Sequence, residues 1–197
     1  MNQRFSADTR AVVLTVNDRC SRGEQTDESG PAIARRLKAA GADAVQMRVL
    51  PAEMDAIITA LRHYARDARM IVTIGGAGLA ERDVTPDATR LVCERLVDGL
   101  AERMRVEGLK HTPFAPLSRA VCGISGTTLI VNLPGNPENP GSPGSPGGPA
   151  EAESSLAAIL PLLPQALDLL AGKTEPPVKT AKDKVKDKAK DKRLKGR

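Results

Sequence analysis

Four apolar runs break a largely polar chain: AVVLTV at 11–16, AVQMRVL at 44–50, MIVTI at 70–74 and TLIVNL at 128–133. Their length and β-branched content predict strands. Helical spacing lies between them. Ser29 and Gly30 are capping candidates before Pro31, which opens a helix to about Ala40, and Gly41 supplies the stop. Pro51 ends the second strand and opens a helix in which Met54, Ile57, Ile58, Leu61 and Ala65 share one face. Thr85 reads as N-cap and Pro86 as first residue of a third helix, with Leu91, Val92, Leu96 and Leu100 as its apolar side. Residues 151–171 are helical in pattern, and Pro161 and Pro164 predict a kink or two shorter pieces.

Strands alternating with helices, with nearly continuous apolar strand cores, predict an α/β fold: three layers (αβα) with a mostly parallel central sheet covered on both faces. Such folds bind ligands beyond the C-terminal ends of their strands. The polar and glycine-rich segments fall at those ends, after residues 16, 74 and 133. Residues 1–175 read as one domain. Within it, 138–150 (ENPGSPGSPGGPA) is a Pro/Gly/Ser loop insertion with no packing residues.

Charge changes the picture only at one end. The chain carries +5 overall, but residues 178–197 hold ten Lys or Arg against three Asp, which leaves 1–177 at −2. The tail from 176 to 197 is therefore expected to be a solvated, disordered basic extension. A nucleic-acid role would rest on it alone, because 2% aromatic content denies the body a base-stacking surface. Cys20, Cys93 and Cys122 are scattered and form no CxxC, and His63 and His111 are far apart. Neither a disulfide framework nor a zinc site is expected. Cys122 reads as a small buried hydrophobe and His63 as surface-facing. No signal-like or membrane-spanning run is present, so the expectation is a cytoplasmic protein without a membrane partner. GxSxG and GxxxxGK[ST] motifs are lacking as well.

Three segments carry candidate chemistry. In TIGGAGLAERDVTPDAT, 73–89, Gly75, Gly76 and Gly78 let backbone N–H groups approach phosphate oxygens. Asp83 is placed as a Mg²⁺ ligand beside them, since Mg²⁺ takes one or two carboxylates plus substrate phosphates. Taken alone, this segment reads equally as a tight strand-to-helix turn with Asp83 near a helix N-terminus. In LSRAVCGISGTTLIVNLPGNP, 117–137, Ser118 and Arg119 suit an anion, while Pro134, Gly135, Asn136 and Pro137 make a rigid turn; taken alone, the segment reads equally as a plain strand between turns. In TVNDRCSRGEQTDESG, 15–30, Thr15, Asp18, Ser21 and Ser29 are polar groups at a strand end, or simply a capped surface loop.

In this order the three segments resemble the molybdopterin adenylyltransferase family, the bacterial enzymes and the G domains of their plant and gephyrin relatives. The family pattern has a first strand ending T-x-S-D, then T-x-G-G-T-G-x-x-x-R-D-V-T-P-E/D-A-T, then L-S-R…G-I-x-G-x-T-L-I-I-N-L/M-P-G. The similarity spans about residues 10–172. It implies a molybdopterin-binding fold, commonly trimeric, which binds molybdopterin and Mg²⁺-ATP in adjacent pockets. The terminal phosphate of molybdopterin attacks the α-phosphorus of ATP and releases pyrophosphate, and the product then goes on to the molybdate-insertion enzyme. Carried over by motif, Asp83 is the catalytic residue and metal ligand. Thr15, Asp18, Ser29, Thr73, Gly75, Gly76, Gly78, Thr85, Ser118, Arg119, Gly126, Asn132, Pro134, Gly135 and Asn136 bind the substrates.

The chain departs from the pattern in four places. Ala52 replaces an Asp that follows the second strand, Ala77 replaces the GGTG threonine, Asn17 replaces a Ser, and the 138–150 insertion follows the PGN turn. Ala52 favours an alternative, a molybdopterin- or precursor-binding relative with reduced or no catalysis. A scaffolding role of the gephyrin kind is a third reading, against which stands the lack of a long interaction linker.

Overall fold

The computed structural model describes residues 4–135 and 149–173. Asn136, most of the 138–150 insertion and the whole 176–197 tail lie outside the described residues. Among the described residues six strands form one sheet: β1 (Arg10–Val16), β2 (Ala44–Leu50), β3 (Met70–Ile74), β4 (Arg95–Leu96), β5 (Cys122–Ser125) and β6 (Thr128–Leu133), in the order β2-β1-β3-β6-β5-β4. The first four in that order are mutually parallel, and β5 pairs antiparallel with both of its neighbours, β6 and β4. Leu50, Val16, Ile74 and Leu133 therefore end on the same side of the sheet.

Alternating strand residues feed two cores, as the two-residue period requires. Ala11, Val13, Met70, Val72, Leu129 and Val131 face α2 (Ser29–Ala39), α5 (Asp98–Gly108), α6 (Pro149–Ile159) and α7 (Leu163–Leu170). Val12, Leu14, Ile71 and Ile130 face α3 (Met54–Tyr64) and α4 (Thr85–Val92). These are the three layers expected from the sequence. Among the described residues no helix is long and apolar enough to cross a membrane. A one-turn helix, α1 (Asp18–Ser21), follows β1, and Asn17 caps it by accepting from the Cys20 N–H at 2.9 Å. Asn caps as well as Ser does, so the departure at position 17 keeps this turn intact.

Several local expectations are corrected. The second helix begins at Ser29, two residues before Pro31, because the Asp27 carboxylate accepts from the Gly30 N–H and satisfies the first turn. Helix α3 begins at Met54, not Pro51. Thr85 is the first residue of α4, not its cap, and its buried hydroxyl has no partner among the described residues. The face of Leu91, Val92, Leu96 and Leu100 does not exist as one helix. Edge pairing captures the chain after Val92: the Glu94 N–H donates to Ile124 O and the Val97 N–H to Cys122 O. The result is β4 and then α5, with Leu91 left exposed. The proline-split C-terminal helix is as expected, with Leu160–Leu162 as a 3₁₀ turn between α6 and α7. Cys122 is fully buried, and burial pushes its thiol up to about 12.

One polar contact set ties the layers together. The Asn132 side-chain amide donates to Thr73 Oγ1 and Thr89 Oγ1, both at 2.9 Å, while its carbonyl accepts from the Val121 N–H at 3.3 Å. It joins β6 to β3, α4 and the start of β5. Asn132→Ala leaves two hydroxyls and an amide unpaired in the core. A loss of about 1–3 kcal/mol is expected, read from the urea midpoint, with an unchanged midpoint refuting this role.

Candidate functional site

The loops after Val16, Leu50, Ile74 and Leu133 meet over the sheet edge around a cavity of about 560 Å³. Gly75 (φ +97°) fixes its floor. A Cβ there would collide with the Val16 carbonyl oxygen, and one on Gly135 would collide with the Gly75 Cα. Three strand ends thus converge backbone to backbone. The demand for glycine at 75 comes from this packing, and its N–H is already given to Leu133 O at 3.2 Å. Gly76 also has positive φ and lines the cavity. At Gly78 a Cβ would meet Asp83 Oδ2 at 2.7 Å, so this glycine makes room for the carboxylate.

Asp83 lies on the cavity wall and is half-buried. Its Oδ2 accepts from the Ala80 N–H at 2.8 Å, closing the turn that begins at Ala80, and its Oδ1 accepts from no described residue. Asp18 faces the same cavity. It accepts from the Ala52 N–H at 2.9 Å and from Arg82 by a two-pronged contact, Nε to Oδ2 at 2.7 Å and Nη2 to Oδ1 at 2.9 Å. Ala52 itself is on the wall, so the departure at 52 removes a side chain that would face the cavity. Ala77 is buried and off that wall, so the departure at 77 removes nothing from it.

Thr15 and Ser29 line the cavity too. The Thr15 hydroxyl donates to Asp27 Oδ2 at 2.8 Å. Gly30 is required beside this pair, since a Cβ there would strike the Asp27 carboxylate. Ser118 and Pro134 line a second, smaller cavity of about 180 Å³ next to it, walled by α5, residues 108–120 and the first turns of α6, with Arg105 and His111. Gly135 and Pro149 belong to the first cavity, and neighbouring Pro134 and Ala150 belong to the second, so the two adjoin at this point.

The other expected residues fall elsewhere. Thr73, Asn132 and Thr85 are wholly buried, and the first two are bonded to one another. They brace the floor from beneath and do not face either cavity. Gly126 sits in the β5–β6 turn at the opposite end of the sheet, about 17 Å of strand away. Arg119 is held by Asp87 at 2.6 Å and donates to Asp83 O at 3.1 Å. It anchors the backbone of the Asp83 turn and is not a free anion ligand in this arrangement.

Asp27, Gly30 and Arg82 were not among the expected residues. The capping-type spacing of Asp27 before Gly30 is a signal for the first two. Arg82 occupies the arginine position of the family motif, but its pairing with Asp18 has no signal in the sequence, because the two are 64 residues apart. Cys20 lines the cavity, but burial, and then the charge of Asp27, push its thiol up, so it is a protonated wall group.

The Arg82 contact holds the Asp18 carboxyl below its ordinary 3.8, against the opposing effect of burial. A carboxylate depressed in the folded state stabilises it fully above the ordinary value and loses that stabilisation as pH falls through the depressed one. Asp18→Asn is therefore expected to be less stable than wild type at neutral pH. The gap should close below about pH 4, as followed by urea unfolding across pH. A gap that persists at pH 2 refutes the assignment.

Comparison with known proteins matches the chain to the family described as "Probable molybdopterin binding domain" over residues 12–139. The chain is 35% identical over 164 residues to the molybdopterin adenylyltransferase of Helicobacter pylori strain J99, covering 81% of this chain and 86% of that protein. It is 41% identical over 127 residues to the molybdenum cofactor synthesis protein cinnamon of Drosophila melanogaster, covering 63% of this chain but only 21% of that much longer protein. Among solved structures, the molybdopterin biosynthesis enzyme MoaB of a Thermus species superposes with a TM-score of 0.68 at 44% identity, covering 84% of this chain and 98% of that one. The three sequence segments, the sheet order that gathers them at one edge and these likenesses agree: the chain belongs to the molybdopterin-binding family of molybdenum-cofactor biosynthesis, which includes the bacterial molybdopterin adenylyltransferases.

Proposed function

We propose that this chain is a molybdopterin adenylyltransferase, with residues 1–175 as its binding and catalytic unit. An oxygen of the terminal phosphate of molybdopterin bonds to the α-phosphorus of ATP as the bond to the β-phosphate bridge breaks, and pyrophosphate leaves. Such a transfer asks the protein for positioning and charge neutralisation above all. The observation that carries the reading is Asp83, which presents a carboxylate oxygen without a described partner on the wall of the cavity that the Gly75–Gly76 turn floors. Two adjoining cavities give the two anionic reactants separate seats, with Thr15, Asp18, Ser29 and Gly76 in one and Ser118 and Pro134 in the other.

Magnesium fits this donor set in one particular way. No group of three or more His, Cys, Asp or Glu among the described residues is placed to hold a metal unaided. Asp83, with Asp18 nearby on the wall, suits a Mg²⁺ ion that arrives with the nucleotide and completes its shell with phosphate oxygens and water. The ion would neutralise phosphate charge, while Asp83 would hold it against the glycine floor. The wider reading places the chain in the cytoplasm as a homotrimer that hands its product to the molybdate-insertion enzyme. Likeness to the bacterial enzymes supports this setting.

A second reading, a molybdopterin- or precursor-binding relative with little catalysis, is favoured by Ala52 on the cavity wall. Incubation with molybdopterin, ATP and Mg²⁺ separates the two readings: pyrophosphate and adenylylated product are expected from the wild type, and substrate binding without product would favour the second. Asp83→Asn is expected to lower turnover by about two orders of magnitude, the scale of removing one preorganised electrostatic group, with the melting curve unchanged. Undiminished turnover would remove Asp83 from the metal role. Ala52→Asp is expected to raise the rate. A rate that stays flat would show that Asp18 and Asp83 already suffice.

A further inference from the structure

The charges around the larger cavity are badly matched to a polyphosphate. Among its described lining residues Asp18, Asp27, Glu28, Glu81 and Asp83 are acidic, and Arg82 is the one cation. Arg82 is already committed to Asp18 through its full guanidinium fork. That fork matches a phosphate as well as a carboxylate. Two features make the contact exchangeable. The Arg82 side chain is 59% exposed on the 80–83 turn, so it gives up little packing on moving. Asp18, 18% exposed, is held separately by the Ala52 N–H and needs no arginine to keep its place.

We propose that Arg82 is an exchangeable phosphate clamp: it rests on Asp18 in the nucleotide-free chain and passes to the nucleotide phosphates as the divalent cation takes over the Asp18 carboxylate. No charge is stranded in the exchange. The cation replaces one guanidinium at Asp18, and the guanidinium then faces new negative charge. Nucleotide and metal thereby bind together, since the metal frees the residue that the phosphates need. This inference rests on the adenylyltransferase reading, because it requires a nucleotide in this cavity.

Calorimetric titration of ATP into the full chain, with Mg²⁺ or with EDTA, tests it without reference to turnover. Wild type is expected to bind Mg²⁺-ATP, and Arg82→Ala to bind it about tenfold more weakly or worse, the scale of a charged hydrogen-bonded contact. Arg82→Lys, which keeps the charge without the fork, should fall between. Asp18→Asn gives the distinctive result. It keeps an acceptor for Ala52 but releases Arg82, so in EDTA it should bind ATP about tenfold more tightly than wild type does. The gain should vanish in the Asp18→Asn, Arg82→Ala double variant. A wild type that binds no Mg²⁺-ATP overturns both the function and this inference. If wild type binds it but Arg82→Ala is equal to wild type, or Asp18→Asn shows no metal-free gain, or the gain survives in the double variant, the clamp alone is overturned. Melting curves of the four variants separate these results from misfolding.

Discussion

The site depends on a contact with no side chain in it. At Gly75 the end of β3 is pressed between the Val16 carbonyl and Gly135, so that only a hydrogen atom fits on each glycine. This closeness brings the loops of three parallel strands over one point of the sheet edge, and both cavities open there. Any side chain at 75 would push β1 away from β3, and the walls that carry Asp18 and Asp83 would separate. Glycine is demanded by the protein's own packing before any ligand is considered.

Beneath that floor a buried amide does the bracing. Asn132 satisfies Thr73, Thr89 and the Val121 N–H at once, so β3, α4 and β6 share one fixed geometry. A fully satisfied polar contact set in a core specifies a single arrangement, since each alternative leaves a group unpaired. The motif residues of this family therefore divide by role. Thr73 and Asn132 hold the platform, and Thr15, Asp18, Ser29 and Asp83 stand on it facing the cavity. Arg119, bound to Asp87 and to the Asp83 carbonyl, joins the platform to the turn that carries the candidate metal ligand.

Electrostatics then set what the cavity accepts. Carboxylates outnumber cations on its wall, which is unfavourable for a bare polyphosphate and favourable for one that brings its own divalent ion. The ion pair between Arg82 and Asp18 offsets one of those carboxylates and leaves the others uncompensated by any described lining cation. With alanine at 52, that part of the wall meets the Asp18 carboxylate through the Ala52 backbone N–H. The substitution lowers the acid count, while the anchor of Asp18 is a backbone N–H that any non-proline residue at 52 would supply.

The sequence by itself determined the layered α/β fold, because strand cores such as 70–74 and helix faces such as Ile57 and Leu61 are local periodicities fixed by which residues avoid water. It also put the motif segments directly after residues 16, 74 and 133, at the strand ends that the fold gathers around one cavity, and through those motifs it indicated the family. Only the tertiary structure decided which motif residues face the cavity. Thr73 and Asn132 read as binding residues along the chain yet turn inward, and Gly126 lies at the far end of the sheet, since which way a polar side chain points depends on strand pairing across many residues. The helix expected through Leu96 fails for the same reason: the edge of β5, nearly thirty residues further on, offers backbone partners that outweigh local helical spacing. Arg82 on Asp18 is likewise a contact between distant segments, with no periodicity to announce it.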